Sequence, residues 1–414
     1  MDEYAAYVGW DWGQQQHAVD VAAAREVPWQ ATIEQKPEAI RAFVDQLRKR
    51  YGGAAVAVCI EQGRGAVMYA LMQYEFLHLV PINPRAVARY REAVRLSGAT
   101  DDPTDAWLIR ELVQRHPEHF AVWSPDDAVT RELRLLSEWR RKLVDQSTAT
   151  SQQLRDTLLQ YFPQVLEDWV GELKSPMAAA FLKKWPTLES VQRARPDTVR
   201  RFYRQAGSRS AEKIEQRLEQ IRVAEPLTRD AAVIAALSVV TICLARQIRS
   251  LENSIADLDQ RIARIWADHP DRQIFAALPG AGPALGPRLA VAFGTDRAKW
   301  ANASSMQCFS GVAPVVEQSG KQRWVHARWQ CPTFVRQTFH EFAGQSIKQP
   351  GWARQFYDQQ RAHGCGHHAA LRALAFRWIR VIYRCWKDRK PYDEAFYSAA
   401  LRRRGSPLAA ALVA

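Results

Sequence analysis

The strongest constraint on the fold lies in the first 120 residues, where stretches with the pattern of β-strands alternate with stretches with the pattern of α-helices. The run AAVAVCI at 54–60 is purely apolar, as in a strand buried on both faces. Before it, YVGWDWG and HAVDVAAA can pair as a hairpin, and Pro37 opens a helical stretch that Gly52 and Gly53 close. We therefore predict a mixed α/β sheet that begins with a hairpin, in a chain whose 414 residues suggest two or three domains.

Residues 126–270 have a helical pattern. Six large apolar residues recur there in alternating steps of three and four, forming a heptad seam: Ile248, Leu251, Ile255, Leu258, Ile262 and Ile265. A seam this narrow packs against another helix. That helix belongs either to a second copy of the chain, which gives a homo-oligomer, or to the earlier helical stretch at 133–158, and the sequence leaves both open.

The charge of the chain is unevenly spread. The net charge is +13, yet residues 271–414 contain 21 Lys and Arg against eight Asp and Glu, while residues 1–125 are slightly acidic. The last third is also rich in aromatic residues, and arginine interleaved with aromatic side chains suits phosphates and bases. A solvated basic face is the plainer alternative, but the size of the asymmetry favours nucleic-acid binding.

Two motifs in the last third allow more than one interpretation. LPGAGPALGPRLAVAFG at 278–294 predicts a Gly-x-Gly turn followed by an amphipathic helix, a helix-hairpin-helix-like pattern that aims backbone N–H groups at a phosphate; an ordinary turn between helices fits equally well. HGCGHH at 363–368 suggests metal ligands, but no complementary ligand pair lies nearby. Its glycines and the helical stretch that follows favour a loop and a helix start.

Secretion and membrane insertion are not indicated. The start MDEYAAYVGWDWG is short and acidic, unlike a signal peptide, and the most apolar stretch, AAVIAALSVVTICLA at 231–245, falls short of a membrane span. The six cysteines are scattered without a CxxC pair. We expect reduced thiols in a cytoplasmic protein, with neither a disulfide framework nor a zinc site.

Three carboxylates crowd the segment GATDDPTDAW at 98–107, although like charges repel. One explanation is local: Asp102 is the N-cap of a helix, Pro103 takes its first position and Asp105 falls in its first turn. The other is chemical, because two carboxylates one helical turn apart can hold a divalent metal. The fragment alone favours capping.

Two further carboxylates follow predicted strands. Asp11 ends the first strand and Glu61 follows the apolar run, and a charge at the end of an apolar strand needs water, a partner or a cation. Neighbouring strands could place Asp11 beside Glu61, with the helix that carries Asp102 and Asp105 crossing their ends. Two Mg²⁺ ions would relieve the repulsion among the four and polarise a phosphodiester.

Several stretches occur in the order seen in the DEDD transposases: VGWDWGQQQHAVDV, CIEQGRG, VPINPRAVARYREAVRLSGATDDPTDAWLI and GVAPVVEQSGK. LPGAGPALGPRLAVAFG is similar to the opening of that family's second domain, and HHAALRALAFRWIRVIYRCWKDRKPYD at 367–393 resembles the helix that usually closes it. The resemblance covers most of the chain. It implies a RuvC-like RNase H fold in residues 1–125 and a mainly helical transposase domain in 271–414, joined by the helical, coiled-coil region 126–270.

The resemblance also implies site residues. The family's acidic tetrad falls on Asp11, Glu61, Asp102 and Asp105, and its nucleophilic serine falls on Ser319 in QSGK. Asp101 stands where the family often has Thr or Ser, and the spacing to Asp105-Ala106 selects Asp102 as the ligand. Read without the family, SG between apolar segments is an ordinary turn.

The resemblance therefore implies an insertion-sequence recombinase with Mg²⁺ or Mn²⁺ as cofactor. Ser319 would attack a phosphate whose charge Lys321, Arg323 and Arg328 offset. The resemblance implies donor DNA, target DNA and a structured guide RNA as partners. Two alternatives remain: a structure-selective nuclease that uses the tetrad with water, like a Holliday-junction resolvase, and a non-catalytic nucleic-acid-binding scaffold, which the presence of all four acids disfavours.

Overall fold

The computed structural model describes residues 4–24, 26–61, 65–94, 101–406 and 408. The chain divides into two compact units, Met1–Pro125 and Asp126–Ala414. The first unit is α/β, and the second is built almost wholly from helices.

The first unit contains a five-stranded mixed sheet. Its strands are β1 (Ala6–Asp11), β2 (Gln16–Ala22), β3 (Trp29–Glu34), β4 (Val56–Ile60) and β5 (Leu77–Pro81), in the order β3-β2-β1-β4-β5. The first three strands are antiparallel, whereas β4 runs parallel to both β1 and β5. The predicted mixed sheet with an opening hairpin is confirmed, and it is consistent with the RNase H fold that the resemblance implies.

Helices cover both faces of this sheet. They are α1 (Pro37–Tyr51), α2 (Ala66–Leu71), α3 (Pro84–Val94) and α4 (Asp102–Arg115). The apolar residues of α1 and α2 pack on the face that presents Val8 and Trp10, and those of α3 and α4 pack on the face that presents Tyr7. Because β4 lies between these layers, all five of its residues are buried, as its unbroken apolar sequence predicts.

Two long helices run through the first part of the second unit. Its helices up to residue 267 are α5 (Ala128–Leu159), α6 (Pro176–Lys184), α7 (Leu188–Gln192), α8 (Pro196–Gln205), α9 (Ala211–Val223) and α10 (Ala231–Ala267). The longest pair, α5 and α10, pack on each other along their lengths. Arg140 of α5 forms a salt bridge of 2.7 Å with Asp259 of α10, and Ser147 donates a hydrogen bond of 2.5 Å to Glu252.

The partner of the heptad seam is therefore α5 of the same chain. Ile248, Ile255 and Ile262 are buried, which is one half of the predicted seam. The intervening Leu251 and Leu258 stay partly exposed, because α5 covers the seam from one side only.

The stretch 231–245 is the start of a 37-residue helix, α10, which is long and apolar enough to cross a membrane by length and composition alone. Its most apolar 18-residue window has a mean hydropathy of 2.0, and 17% of that window is buried. Length and composition alone are weak grounds for a membrane span, since the core helix of a soluble protein passes the same test.

The rest of the second unit has its own apolar core, to which the start of α5 and the end of α10 also contribute. Its elements are α11 (Arg272–Ala276), α12 (Gly282–Phe293), α13 (Ala303–Phe309), β6 (Val315–Ser319), β7 (Gln322–His326), α14 (Thr333–Ser346), α15 (Trp352–Ala362), α16 (His367–Lys387) and α17 (Glu394–Arg403). The loop and helix start predicted at 363–368 are confirmed, because α15 ends at Ala362 and α16 begins at His367.

Helix α12 differs from its prediction. It follows a turn in which Gly280 and Gly282 both have positive φ, as the Gly-x-Gly motif suggests. However, every residue from Leu285 to Phe293 is buried, so the helix is enclosed rather than amphipathic. Even Arg288 is buried, donating a hydrogen bond of 2.5 Å to Glu341 of α14.

Candidate active site and relatives

The ends of two neighbouring parallel strands place Asp11 beside Glu61. Trp10 of β1 is paired with Ile60 of β4. The next residues along the chain are Asp11, which ends β1, and Glu61, which directly follows β4. Side chains alternate between the faces of a sheet, which puts Asp11 on the same face as Tyr7 and Gly9. That face is the one that α4 covers.

Helix α4 crosses β1 at very close range. A Cβ on Gly9 would lie 1.9 Å from the carbonyl oxygen of Ala106 and 2.8 Å from the backbone nitrogen of Arg110. Only glycine leaves room for this approach, which brings the backbone of α4 onto the strand. The start of α4, with Asp102 and Asp105, therefore lies near the end of β1 that carries Asp11.

Asp101, and not Asp102, is the N-cap of α4. The backbone of Asp101 is extended, with φ −147°, and its Oδ1 accepts a hydrogen bond of 2.8 Å from the backbone N–H of Thr104. Asp102 is already the first helical residue, and Pro103 is the second. The prediction that Asp102 caps the helix was wrong by one residue, and the carboxylate of Asp102 is left for another role.

The four predicted carboxylates interact electrostatically. Burial, followed by the negative charges of Asp105, Asp102 and Glu61, raises the pKa of Asp11 to about 6. Burial and then the charge of Asp105 also raise the pKa of Glu61. The structure thus brings Asp11, Glu61, Asp102 and Asp105 near one another, with mutual repulsion that a cation would relieve.

Arg91 supplies positive charge at this site, and the sequence reasoning did not include it. Its guanidinium forms a salt bridge of 2.7 Å with Asp105 and lowers the pKa of Glu61 against the other influences. Within the described parts of the chain, no three His, Cys, Asp or Glu side chains are grouped closely enough to hold one ion. The carboxylate oxygens of the four acids are the type of ligand that a hard divalent cation prefers. One of these acids, Asp105, is held by a direct contact with Arg91.

A second buried pair, Asp20 and Arg110, fastens α4 to the sheet and was also missed. Asp20 of β2 lies opposite Gly9 of β1, and its carboxylate accepts a hydrogen bond from Nε of Arg110. Gln30 of β3 donates to the other oxygen of Asp20 at 3.0 Å. The available signal was an acid inside the otherwise apolar strand HAVDV, since a buried charge requires a partner.

Ser319 ends β6 at the tip of an exposed hairpin. It pairs with Gln322 of β7, and the two-residue loop between them begins with Gly320 at φ 59°. Every residue of β7, and of β6 after Val315, is exposed. Gly320 serves the conformation of the turn, and a Cβ there would meet nothing within 4 Å.

The three basic residues predicted around Ser319 occupy different positions. Lys321 is the second residue of the hairpin loop, next to Ser319 in space. Arg323 pairs with Gln318, and strand alternation therefore puts it on the opposite face of the hairpin from Ser319. Arg328 follows β7 and is half-buried, with a contact of 4.0 Å to Sγ of Cys308.

Comparison with known proteins identifies the family. Residues 8–163 match a family of DEDD transposases of the IS110 type, and residues 272–358 match the transposase family of IS116, IS110 and IS902. The chain is 25% identical over 402 residues to the "Mini-circle putative transposase for IS117" of Streptomyces coelicolor, covering 95% of this chain and 96% of that protein.

Two further relatives come from insertion elements. The chain is 26% identical over 398 residues to the uncharacterized 44.8 kDa protein of IS116 from Streptomyces clavuligerus, covering 94% of this chain and 96% of the relative. It is 27% identical over 352 residues to the uncharacterized 42 kDa protein of IS900 from Mycobacterium paratuberculosis, covering 84% and 86%. Together the two matched segments and the full-length relatives show that the chain belongs to the IS110/IS116/IS902 family of transposases, enzymes that carry out DNA strand transfer.

Proposed function

We propose that this transposase cleaves and exchanges DNA strands with Asp11, Glu61, Asp102 and Asp105 as ligands of Mg²⁺ or Mn²⁺ and with Ser319 as the nucleophile. The observation that supports the first part is the electrostatic interaction of the four acids: burial, followed by the charges of Asp105, Asp102 and Glu61, raises the pKa of Asp11 to about 6. The fold of the first unit, five strands of mixed direction with helices on both faces, supports a RuvC-like domain.

The chain's own residues form this site by fixing carboxylates on rigid elements. Asp11 and Glu61 are held by the register of β1 and β4, and Asp102 and Asp105 are held by the first turn of α4. Asp101 takes over the capping of α4, and Arg91 orients Asp105. Bound Mg²⁺ or Mn²⁺ would offset the repulsion and stabilise negative charge on the scissile phosphate.

Ser319 is suited to reach a phosphate because the hairpin tip is exposed. In the proposed step the Oγ atom bonds to phosphorus and gives its proton to a base or water, while the bond from phosphorus to one sugar oxygen breaks. That oxygen keeps the bonding electrons and takes up a proton from water, so it leaves as a hydroxyl. The strand remains linked as a phosphoserine until a hydroxyl of another strand displaces Ser319. Lys321 in the same loop offsets the phosphate charge, with Arg328 near the base of the hairpin and Arg323 on its opposite face.

We further propose donor DNA, target DNA and a structured guide RNA as partners. The basic last third supports nucleic-acid binding, and the guide RNA rests on the family resemblance alone. A homo-oligomer is supported by the start of α10, where Val239 and Val240 are 60% and 42% exposed within a stretch, 231–245, that has no charged residue.

Trapping the reaction on a nicked suicide substrate tests the nucleophile. The wild-type protein should form a covalent adduct that peptide mapping assigns to Ser319, and Ser319→Ala should form none while still binding DNA. Gln322→Ala, which alters the residue paired with Ser319, is the matched control and should keep the adduct.

The alternative is a structure-selective nuclease that uses the four acids with water, because those acids suffice for hydrolysis. It would cleave without an adduct, and cleavage by Ser319→Ala at the wild-type rate would establish it. An adduct on another residue would likewise remove Ser319 from the mechanism. Mixtures of Asp11→Ala and Ser319→Ala chains would regain activity if protomers share sites.

A further inference from the structure

The second unit contains a large open groove along one side of α16. Its volume is about 2030 Å³. We name it the α16 groove: one face of α16 lines it, together with parts of α15 and α17 and the segment 312–314 that precedes β6. Neither the acidic cluster nor Ser319 lies in this groove, so the proposed chemistry does not account for it.

The wall formed by α16 presents a row of arginines. Arg372, Arg380 and Arg384 line the groove at spacings of eight and four residues, with Phe376 in the gap between the first two. Each four-residue step advances about 6 Å along a helix, comparable to the spacing of phosphates along one nucleic-acid strand. Arg384 is paired with Asp388 at 2.6 Å, whereas Arg372 and Arg380 have no ion pair with any residue that the structure describes.

The groove carries an excess of positive charge. Six basic and three acidic side chains line it. The acids are already engaged within the protein: Asp388 pairs with Arg384, Asp393 caps α17 through the backbone N–H of Phe396 at 2.9 Å, and Glu394 accepts a hydrogen bond from Tyr392. The groove therefore has arginines without a carboxylate partner among the described residues, while its acids are already bonded within the protein. The remaining positive charge indicates an anionic ligand.

Aromatic side chains stand beside these arginines. Phe396 of α17 lines the groove with 68% of its surface exposed, unusual for a phenylalanine with an apolar core close by. Arg377 and Phe356 also line the groove, and the guanidinium of Arg377 lies over the Phe356 ring at 5.2 Å. Stacking surfaces next to phosphate-binding cations are the means by which proteins bind unpaired nucleotides.

We propose that the α16 groove binds single-stranded nucleic acid, with phosphates on Arg372 and Arg380 and a base stacked on Phe396. A duplex keeps its bases stacked on one another, so it cannot use Phe396 in this way. DNA and RNA share the chemistry required, and the experiment separates them. The inference rests on the proposed function, which requires a strand to pass near Ser319.

The position of the groove fits such a path. Val312 and Pro314 line it, and the next residue, Val315, begins the strand that ends at Ser319. Five residues of extended strand span about 16 Å, so a strand leaving the groove would need to continue only a few nucleotides to reach the hairpin tip.

Fluorescence anisotropy with the full-length protein tests the proposal. The ligands are labelled single-stranded DNA, single-stranded RNA and blunt duplex DNA of one sequence. The variants are Arg372→Gln with Arg380→Gln, and separately Phe396→Ala. Arg402→Gln with Arg403→Gln is the control, since it removes the same charge from exposed residues of α17 outside the groove.

The double variant Arg372→Gln with Arg380→Gln should bind single strands more weakly. It should also reduce the slope of log affinity against log salt by about 1.4, since each lost phosphate contact removes about 0.7. Phe396→Ala should weaken single-strand binding about tenfold with the slope unchanged, because stacking releases no counterions. The tighter of the two single-stranded ligands identifies the natural one.

Equal losses for the groove variants and the control, or losses confined to the duplex, would overturn the proposal. Thermal melting checks that each variant is folded. Ser319→Ala distinguishes this proposal from the nucleophile: it should bind single strands like the wild type. Failure of the serine mechanism would therefore appear as a missing adduct with single-strand binding intact.

Discussion

A Cβ atom on Gly9 would lie 1.9 Å from the carbonyl oxygen of Ala106. The backbone of α4 thus lies directly on β1, and this contact sets how close Asp102 and Asp105 come to Asp11. Gly9→Ala should force α4 away from the sheet, destabilising the first unit by about 3 kcal/mol and abolishing cleavage. Chemical denaturation and a cleavage assay measure the two effects.

The control for that change is Gly366→Ala, because Gly366 has an ordinary φ of −61° and open space around its Cα. It should change stability by less than about 1 kcal/mol. If Gly9→Ala behaved like Gly366→Ala, the close packing of α4 on β1 would not be what positions the acids.

Removing single acids from the cluster should separate activity from stability. Asp11→Ala, Glu61→Ala and Asp105→Ala should each abolish cleavage without preventing folding, as should excess EDTA with the wild-type protein. Asp11→Asn should also raise the melting temperature of the metal-free protein by about 3 °C, because it removes a half-buried charge that three neighbouring acids repel. Calorimetry with EDTA measures this, and full activity of Asp11→Ala would contradict the site.

Breaking the buried pair of Asp20 and Arg110 should lower the free energy of unfolding strongly, whereas replacing both residues should lower it much less. Their side chains are 4% and 6% exposed, so Asp20→Ala leaves an uncompensated buried guanidinium and should cost about 4 kcal/mol. Adding Arg110→Met should recover most of that loss. Arg354→Met, which breaks the exposed pair with Asp358 on α15, should leave the free energy of unfolding almost unchanged. Additive effects of the two buried changes would contradict a direct interaction.

Within the α10 seam, alanine at a buried position should lower the free energy of unfolding more than alanine at a half-exposed position. Ile255→Ala should cost about 3 kcal/mol, because Ile255 is only 7% exposed beneath α5. Leu258→Ala, one step along the same seam, should cost about 1 kcal/mol. Urea denaturation of the two variants provides the comparison. Equal losses would mean that Leu258 is also covered, as in self-association through the seam.

His269 should make the second unit less stable in mild acid. Its Nδ1 accepts a hydrogen bond of 3.2 Å from the backbone N–H of Asp271, and its Nε2 lies 3.0 Å from Oγ1 of Thr130. Because an accepting Nδ1 carries no proton, the ring is neutral in this arrangement. Burial lowers the pKa of His269 in the folded protein. The stabilisation is therefore present above the ordinary histidine value of about 6.5 and is lost as pH falls below it.

Thermal melting across this range measures the effect. His269→Gln should reduce the dependence of the melting temperature on pH, whereas His363→Gln, at an exposed position, should not. An unchanged pH dependence in His269→Gln would show that other groups control acid stability.

Much of the fold follows from local pattern. The run 54–60 predicts a buried strand, because a run of apolar side chains needs cover on both faces, and residues 56–60 form it. Pro37 and Gly52 mark the ends of α1 through backbone conformations that few other residues adopt so readily. The order of motifs also identified the family, and with it the carboxylates that the structure brings together. That Ser319 is the nucleophile stays a prediction.

Tertiary structure decided what depends on contacts between distant residues. Asp101 and Asp102 can each cap a helix, and in the folded chain Asp101 is the last extended residue and accepts from the backbone N–H of Thr104. The seam of α10 fits any narrow helical partner, and the fold places α5 beside it. Little in the sequence indicated the roles of Arg91, Asp20 and Arg110. The role of a charged side chain depends on its partner, and folding brings these partners together from distant positions in the chain.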